Sequence, residues 1–120
     1  MNYLEIIIKL IIGLSILNVW LLRSGKSTQY RGGGAKNIKE EFAVYGLPSW
    51  FMMVIGAAKI GLSILLIASI WYPVVESVSA IGIALLMVGA VGMHFKVGDP
   101  VKKALPASLF LILSVIVYLM

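Results

Sequence analysis

The stretch PSWFMMVIGAAKIGLSILLIASIW, residues 48–71, decides the fold of this 120-residue chain. It is about 24 residues long and apolar apart from a few small or hydroxyl-bearing residues and one charge, Lys59. A helix rises about 1.5 Å per residue, so a helix of this length exceeds a hydrocarbon core about 30 Å thick. The stretch therefore predicts a membrane-spanning helix. An ammonium group near its middle costs about 3 kcal/mol, so we expect neighbouring helices to supply partners for Lys59.

The composition of the chain excludes a soluble globular domain. Hydrophobic residues make up 61% of the sequence, charged residues 12%, and the mean hydropathy is +1.03. Too little polar surface exists to cover a core in water, so residues 1–120 are expected to form one integral membrane domain. The chain contains no cysteine, which excludes disulfide exchange, thiolate metal sites and iron–sulfur ligation by its own residues.

Three further apolar stretches, residues 3–22, 74–95 and 104–120, predict three more spans. The first lacks the basic start and the cleavage site of a signal peptide, so we expect it to be retained. The fourth reaches the end of the sequence, and no separate C-terminal domain is expected. Because the connections are short or medium in length, the four spans predict an all-α, up-down-up-down four-helix bundle.

The segment between the first two spans has two parts. Residues 23–36 are rich in Gly and Ser and predict a flexible loop, whose glycine triplet lacks the ending of a phosphate-binding loop. After it, Asn37 can cap a helix, Glu40 stands three residues later, and Gly46 and Pro48 can end the helix. We expect a short amphipathic helix here, lying at the membrane interface.

Charge and aromatic residues predict the orientation of the bundle. The net charge is +5, and nearly all basic residues lie in two loops, namely Arg23, Lys26, Arg31, Lys36, Lys39 in one and Lys96, Lys102, Lys103 in the other. By the positive-inside rule both loops are cytoplasmic and both termini lie outside. Such loops suit anionic membrane lipids rather than nucleic acid, and we expect a bacterial plasma membrane.

In the first span, the Glu5–Lys9 pair and Asn18 each allow two interpretations. Glu5 and Lys9 lie one helical turn apart, acid first, and form either a solvated terminal pair or an ion pair reached by snorkelling. Ser15 and Asn18 share a face deeper in the span. Asn18 is either glue between helices or a ligand contact.

Four glycines of the second and third spans predict close helix packing, because small side chains let a neighbouring backbone approach. They are Gly56, Gly61, Gly82 and Gly89.

The remaining polar residues of the spans predict one site. Asn18, Lys59, Ser63 and His94 fall at similar depth in the cytoplasmic half of the bundle, with Asp99 as a counter-ion that can fold back. Such a set either forms a polar pocket for a ligand or fixes the packing of the helices.

Two long stretches resemble a known family: FAVYGLPSWFMMVIGAAKIGLSILLI, residues 42–67, and AIGIALLMVGAVGMHFKVGDPVKKALPASLFLILSVIVYLM, residues 80–120. The family pattern has Gly-x-Pro before the second span, a Gly-x-x-Lys core within it, and His-x-x-x-Gly-Asp at the end of the third. The matching residues are Gly46, Pro48, Gly56, Lys59, His94, Gly98 and Asp99. With this order and spacing, the chain resembles the DoxX-like family of small four-helix membrane proteins.

The resemblance implies an accessory or ligand-binding membrane protein. The family name derives from the small membrane subunit of a thiosulfate:quinone oxidoreductase, and other relatives assist assembly or handle lipids and sterols. A quinone or a lipid is thus the expected ligand, and quinone carbonyl oxygens suit donors such as Lys59 and His94. With no cysteine and one histidine, we expect no intrinsic redox cofactor and no metal site. Membrane lipids, a membrane or cytoplasmic protein, or a second copy are the expected partners.

Two other functions fit less well. A small multidrug exporter needs a carboxylate deep in its first span, and Glu5 is too close to the end. A catalytic role for His94 as a base with Asp99 lacks a credible nucleophile. We therefore expect a chain that is not an enzyme on its own, with a small transporter or a redox-complex subunit as the alternatives.

Overall fold

The computed structural model describes residues 3–22, 33 and 35–120, and these residues form an all-helical bundle. Its helices are α1 (Tyr3–Leu17, continued by the π-helical segment Asn18–Leu22), α2 (Ile38–Val44), α3 (Ser49–Ala68), α4 (Glu76–Lys96) and α5 (Leu105–Leu119), with short 3₁₀ turns at Pro73–Val75 and Val101–Ala104. Four stretches are long and apolar enough to cross a membrane: Tyr3–Leu22, Ser49–Ala68, Pro73–Lys96 and Val101–Leu119. The predicted all-α membrane fold is confirmed. The predicted flexible loop lies mostly outside the described residues.

The four long helices form a closed ring of neighbours. Helix α1 packs against α3 and α5, and α4 packs against α3 and α5, as an up-down-up-down bundle requires. The centre of the bundle is filled by side chains that are fully buried, among them Ile12, Leu66, Ile83 and Val117. Large apolar side chains also cover the outside of the bundle, where they suit contact with lipid rather than water.

Glycines allow close approach at particular helix contacts. A Cβ added at Gly82 would lie 2.8 Å from the Leu62 side chain, and one added at Gly13 would lie 2.6 Å from Ile67. By contrast, no atom of the described neighbouring helices lies within 4 Å of a Cβ added at Gly61 or Gly89, where the sequence predicts close packing. Two helices that cross at an angle are close only near the crossing, so a small residue elsewhere on a helix meets no neighbour.

Helix α2 begins and ends as the sequence predicts. The Asn37 side chain accepts a hydrogen bond of 2.8 Å from the Glu40 N–H, and the Glu40 carboxylate accepts one of 2.6 Å from the Lys36 N–H. At the other end Gly46 adopts φ +78°, a left-handed conformation that suits glycine. The buried residues of α2 face the bundle, so it is amphipathic.

Both basic segments meet at one end of the bundle. The Lys96 ammonium donates a hydrogen bond of 3.1 Å to the Tyr45 carbonyl, and the Gly33 N–H donates one of 3.0 Å to Asp99. We call this the basic end. The turn that carries Trp71 joins α3 to α4 at the opposite end.

Candidate ligand site

A cleft of about 500 Å³ opens between the end of α1, helix α2 and helix α3. Trp20 and Ile38 line one side of it, and Met52, Ala57 and Ile60 of α3 line the other. Small-molecule sites in proteins fall in this range of volume and are mostly apolar, with a few polar groups that orient the ligand. We call this site the Trp20 cleft.

Two polar side chains, Asn37 and Lys39, are among the residues that line the Trp20 cleft. Both precede or begin α2, at the basic end of the bundle. An amide group and an ammonium group can each donate hydrogen bonds to a ligand oxygen. The cleft therefore combines an apolar interior with hydrogen-bond donors, which is the pattern that suits an amphipathic molecule.

Trp20 is placed in the cleft by the local form of α1. The last turns of that helix, Asn18–Leu22, are π-helical, and such segments change which side chains face a neighbour. The indole ring of Trp20 lies against Gly56 of α3, where an added Cβ would be 2.6 Å from the ring. The group that Gly56 accommodates is thus a side chain, whereas close approach of a helix backbone is what the sequence predicts there.

Lys59 lies directly beside the Trp20 cleft. Its ammonium nitrogen is 5.4 Å from the centroid of the Trp20 ring, which is cation–π geometry. The Glu41 carboxylate of α2 attracts the same ammonium group electrostatically. Neighbouring helices thus supply partners for the Lys59 charge. These partners are the Trp20 ring and the Glu41 carboxylate of α2 rather than the polar side chains that the sequence analysis grouped with Lys59.

Asn18 and Ser63 do not join Lys59 in one pocket. Asn18 is exposed on the outside of the bundle, at the start of the π-helical segment. Ser63 is fully buried, and its hydroxyl donates a hydrogen bond of 2.6 Å to the Lys59 carbonyl within α3. A serine that bonds to its own helix needs no other partner, so it can lie in an apolar core.

His94 and Asp99 form a second group at the basic end. The Nδ1 atom of His94 and Oδ2 of Asp99 are 2.8 Å apart, and Oδ1 accepts a hydrogen bond from the Gly33 N–H. The Lys103 ammonium lies 3.8 Å from Oδ1. Burial alone raises the pKa of Asp99, but the hydrogen bonds from His94 and Gly33 and the charge of Lys103 outweigh it and hold the pKa below its ordinary value.

A row of aromatic rings separates Lys59 from His94. The ring centroids of Trp20 and Phe42 are 6.2 Å apart, those of Phe42 and Tyr45 6.2 Å, and those of Tyr45 and His94 6.0 Å. These distances are typical of interacting aromatic pairs. The expected single pocket is therefore replaced by two groups at the ends of an aromatic row that crosses from α1 over α2 to α4.

A buried ionic cluster at the opposite end of the bundle was not predicted. The Lys9 side chain is 0% exposed, and its ammonium lies 2.9 Å from Glu76 and 3.8 Å from Glu5. The interpretation of Glu5 and Lys9 as a solvated terminal pair is wrong, because the first turn of α4 packs over them. The i, i+4 spacing in the sequence indicates the pair of Glu5 and Lys9. The contact of Lys9 with Glu76 could not be predicted, because Glu76 lies far away in the sequence.

A family model of the DoxX-like family matches residues 12–117. The chain belongs to this family. The match includes most of the first span and its loop, which precede the two stretches that carry the resemblance in the sequence. Neither the curated proteins nor the solved structures compared with this DoxX-like protein gave a match. Family and fold together make it an integral membrane protein.

The described part of this DoxX-like protein contains no group of three His, Asp or Glu side chains arranged to hold a metal ion. His94 contacts Asp99 and Tyr45 rather than an open space.

Proposed function

We propose that this DoxX-like protein binds an amphipathic membrane ligand, a quinone or a lipid, in the Trp20 cleft and acts as a non-catalytic accessory protein. The observation that carries the proposal is a cleft of about 500 Å³ with an apolar interior and with Asn37 and Lys39 as donors. A quinone carbonyl and a lipid phosphate are both hydrogen-bond acceptors, so either head group fits these donors.

The location of the cleft supports entry from the lipid phase. Met53 and Ala57 line the cleft and are also exposed on the outer surface of α3. A ligand can thus reach the cleft along the outside of the bundle without parting the four long helices. The apolar tail of a lipid or quinone would then lie along α3, with its head group towards Asn37 and Lys39.

We also propose that the basic end faces the cytoplasm, with both termini outside, in a bacterial plasma membrane. Lys36, Lys39, Lys96, Lys102 and Lys103 belong to segments that meet at the basic end. The positive-inside rule assigns such an end to the cytoplasm. The head group of the ligand would lie at the inner leaflet in this orientation.

Native mass spectrometry of the gently purified protein, combined with extraction of bound lipids and quinones, tests the proposal. Ala57→Trp fills the cleft from α3, while Val88→Trp places the same ring on the exposed face of α4 and serves as the matched control. We expect wild type and Val88→Trp to retain the same lipid or quinone and Ala57→Trp to lose it. Equal retention by all three proteins would overturn the proposal.

The two ligand classes are separated by adding defined probes. A short-chain quinone and phosphatidylglycerol are each titrated into delipidated protein in nanodiscs of phosphatidylcholine. Binding of the quinone that Ala57→Trp abolishes identifies the quinone, and the same result with phosphatidylglycerol identifies an anionic lipid. Binding of neither probe by wild type contradicts the proposal.

A further inference from the structure

One wall of the Trp20 cleft is a short helix. Helix α2 has seven residues, and it supplies Ile38 and Lys39 to the cleft, with Asn37 at its cap. A helix of this length is not stable alone in water, so its position depends on tertiary contacts. What holds α2 in place therefore determines the shape of the cleft.

Gly33 and Tyr45 lie on either side of α2, and we call them together with α2 the α2 segment. In the described part of the chain, several contacts join this segment to residues 94–99 at the end of α4. The Tyr45 and His94 rings meet at 6.0 Å, the Lys96 ammonium donates a hydrogen bond to the Tyr45 carbonyl, and the Gly33 N–H donates one to Asp99. The first and third of these contacts are linked, because Asp99 also pairs with the His94 ring.

Asp99 uses its two carboxylate oxygens for two different purposes. Oδ2 pairs with the His94 ring, which meets the Tyr45 ring edge to face, and Oδ1 accepts a hydrogen bond from the backbone N–H of Gly33, which precedes α2. The side chain is 5% exposed, and Gly98 before it adopts φ +72°, which turns the chain back over the end of α4. Lys103 contributes charge at 3.8 Å from Asp99, but it belongs to the turn before α5 rather than to α2.

We infer that Asp99 is a positioning residue for the Trp20 cleft, which it shapes by clamping both ends of the α2 segment to the end of α4. This inference rests on the proposed function for the ligand, but the placement of α2 is measured without any ligand. Loss of Asp99 frees the His94 ring and the Gly33 backbone together, so the wall formed by Ile38 and Lys39 moves away from α3.

The absence of cysteine in the chain allows a direct measurement of α2. Spin labels are attached at Ala43→Cys on α2 and Leu109→Cys on α5, both exposed positions, and the distance between them is measured by pulsed electron resonance in nanodiscs without added ligand. In Asp99→Ala we expect a broader distance distribution than in wild type. Asp99→Asn should restore most of the narrow distribution, because its amide oxygen still accepts the Gly33 N–H.

One control variant and one replacement variant separate positioning from general stability. Lys103→Met removes a charge next to Asp99 without touching α2, so the distance distribution should stay as in wild type. If Asp99→Ala is not recovered folded, Asp99→Ser replaces it, because one short hydroxyl cannot serve both His94 and Gly33. An unchanged distribution in the folded Asp99→Ala or Asp99→Ser protein overturns the inference.

The ligand probes of the preceding section give the second readout. We expect Asp99→Ala to bind the probe that wild type binds at least about tenfold more weakly, and Asp99→Asn to recover most of the loss. If wild type binds neither probe, the proposed function fails while the label distances still decide the role of Asp99. A binding loss equal in Asp99→Ala and Lys103→Met would contradict a specific role for Asp99.

Discussion

The ammonium of Lys59 lies 5.4 Å from the centroid of the Trp20 ring, so the charge in the middle of α3 is held by the face of a ring on α1. The same ring lines the cleft and lies against Gly56. One side chain therefore couples the accommodation of an intramembrane charge to the shape of the candidate ligand site.

Replacing Trp20 should affect stability and ligand binding together. Trp20→Leu removes the cation–π contact and leaves a void, and we expect a loss of about 3 kcal/mol in unfolding free energy. Trp20→Phe should lose about 1 kcal/mol because a ring face remains. Thermal unfolding in detergent compares the stability of Trp20→Leu and Trp20→Phe with that of wild type. Trp71→Leu, in the exposed turn, is the control, and its stability should stay within about 0.5 kcal/mol of wild type.

Two glycines of α3 offer a matched comparison. In Gly56→Ala the new methyl group meets the Trp20 ring, so the ring must shift, and we expect a loss of about 1–3 kcal/mol together with weaker ligand retention. Gly61→Ala adds the same group at a position where none of the neighbouring residues that the structure describes lies within 4 Å, and its stability should equal or slightly exceed that of wild type. Equal effects of the two substitutions would show that Trp20 does not pack as described.

The buried Lys9 should be among the residues most sensitive to substitution. Lys9→Met leaves Glu5 and Glu76 together without the ammonium, and breaking such a buried pair costs about 3–5 kcal/mol. Adding Glu76→Gln should restore much of the loss, because one carboxylate charge is removed. Lys102→Met on the exposed surface is the control. Chemical denaturation in detergent measures the unfolding free energy of Lys9→Met, of the double variant with Glu76→Gln, and of Lys102→Met.

The Asp99 pair predicts an acid-dependent stability difference. A carboxyl group with a depressed pKa stabilises the fold fully above its unfolded pKa of about 3.9 and loses that contribution as the pH falls through its folded pKa. The melting temperature of wild type minus that of Asp99→Asn should therefore shrink as the pH falls below about 4. The subtraction cancels the contributions of groups that do not contact residue 99. A difference that grows in acid would contradict the assignment of this pKa shift.

Hydropathy and length predicted the fold because a spanning helix is specified by one local property, a run of apolar residues. The cap at Asn37 and the stop at Gly46 are local in the same sense. The site was harder to predict because its geometry depends on contacts between distant residues. Asn18 leaves the expected pocket and Trp20 enters the cleft through the π-helical end of α1, and nothing in the spacing of apolar residues indicates that change of helix type.

Lys9 illustrates the same limit at the other end of the bundle. The i, i+4 pair with Glu5 is visible in the sequence, but the burial of its charge depends on the first turn of α4, which contributes Glu76 from a separate helix. Lys59 and His94 were expected to share one pocket because they lie at similar depth. Depth does not determine which side of a bundle a residue faces, and the ring pairs of Phe42 and Tyr45 lie between them.

Photo-crosslinking with a quinone and a phospholipid that each carry a diazirine on the tail tests the central claim most directly. After illumination in nanodiscs, the modified residues are located by peptide mass spectrometry. The Trp20 cleft predicts adducts concentrated on α3 at Met52, Met53 and Ala57 with at least one probe, and their loss when the unlabelled ligand competes. Adducts spread evenly over the exposed faces of α4 and α5, without competition, would contradict the proposed site.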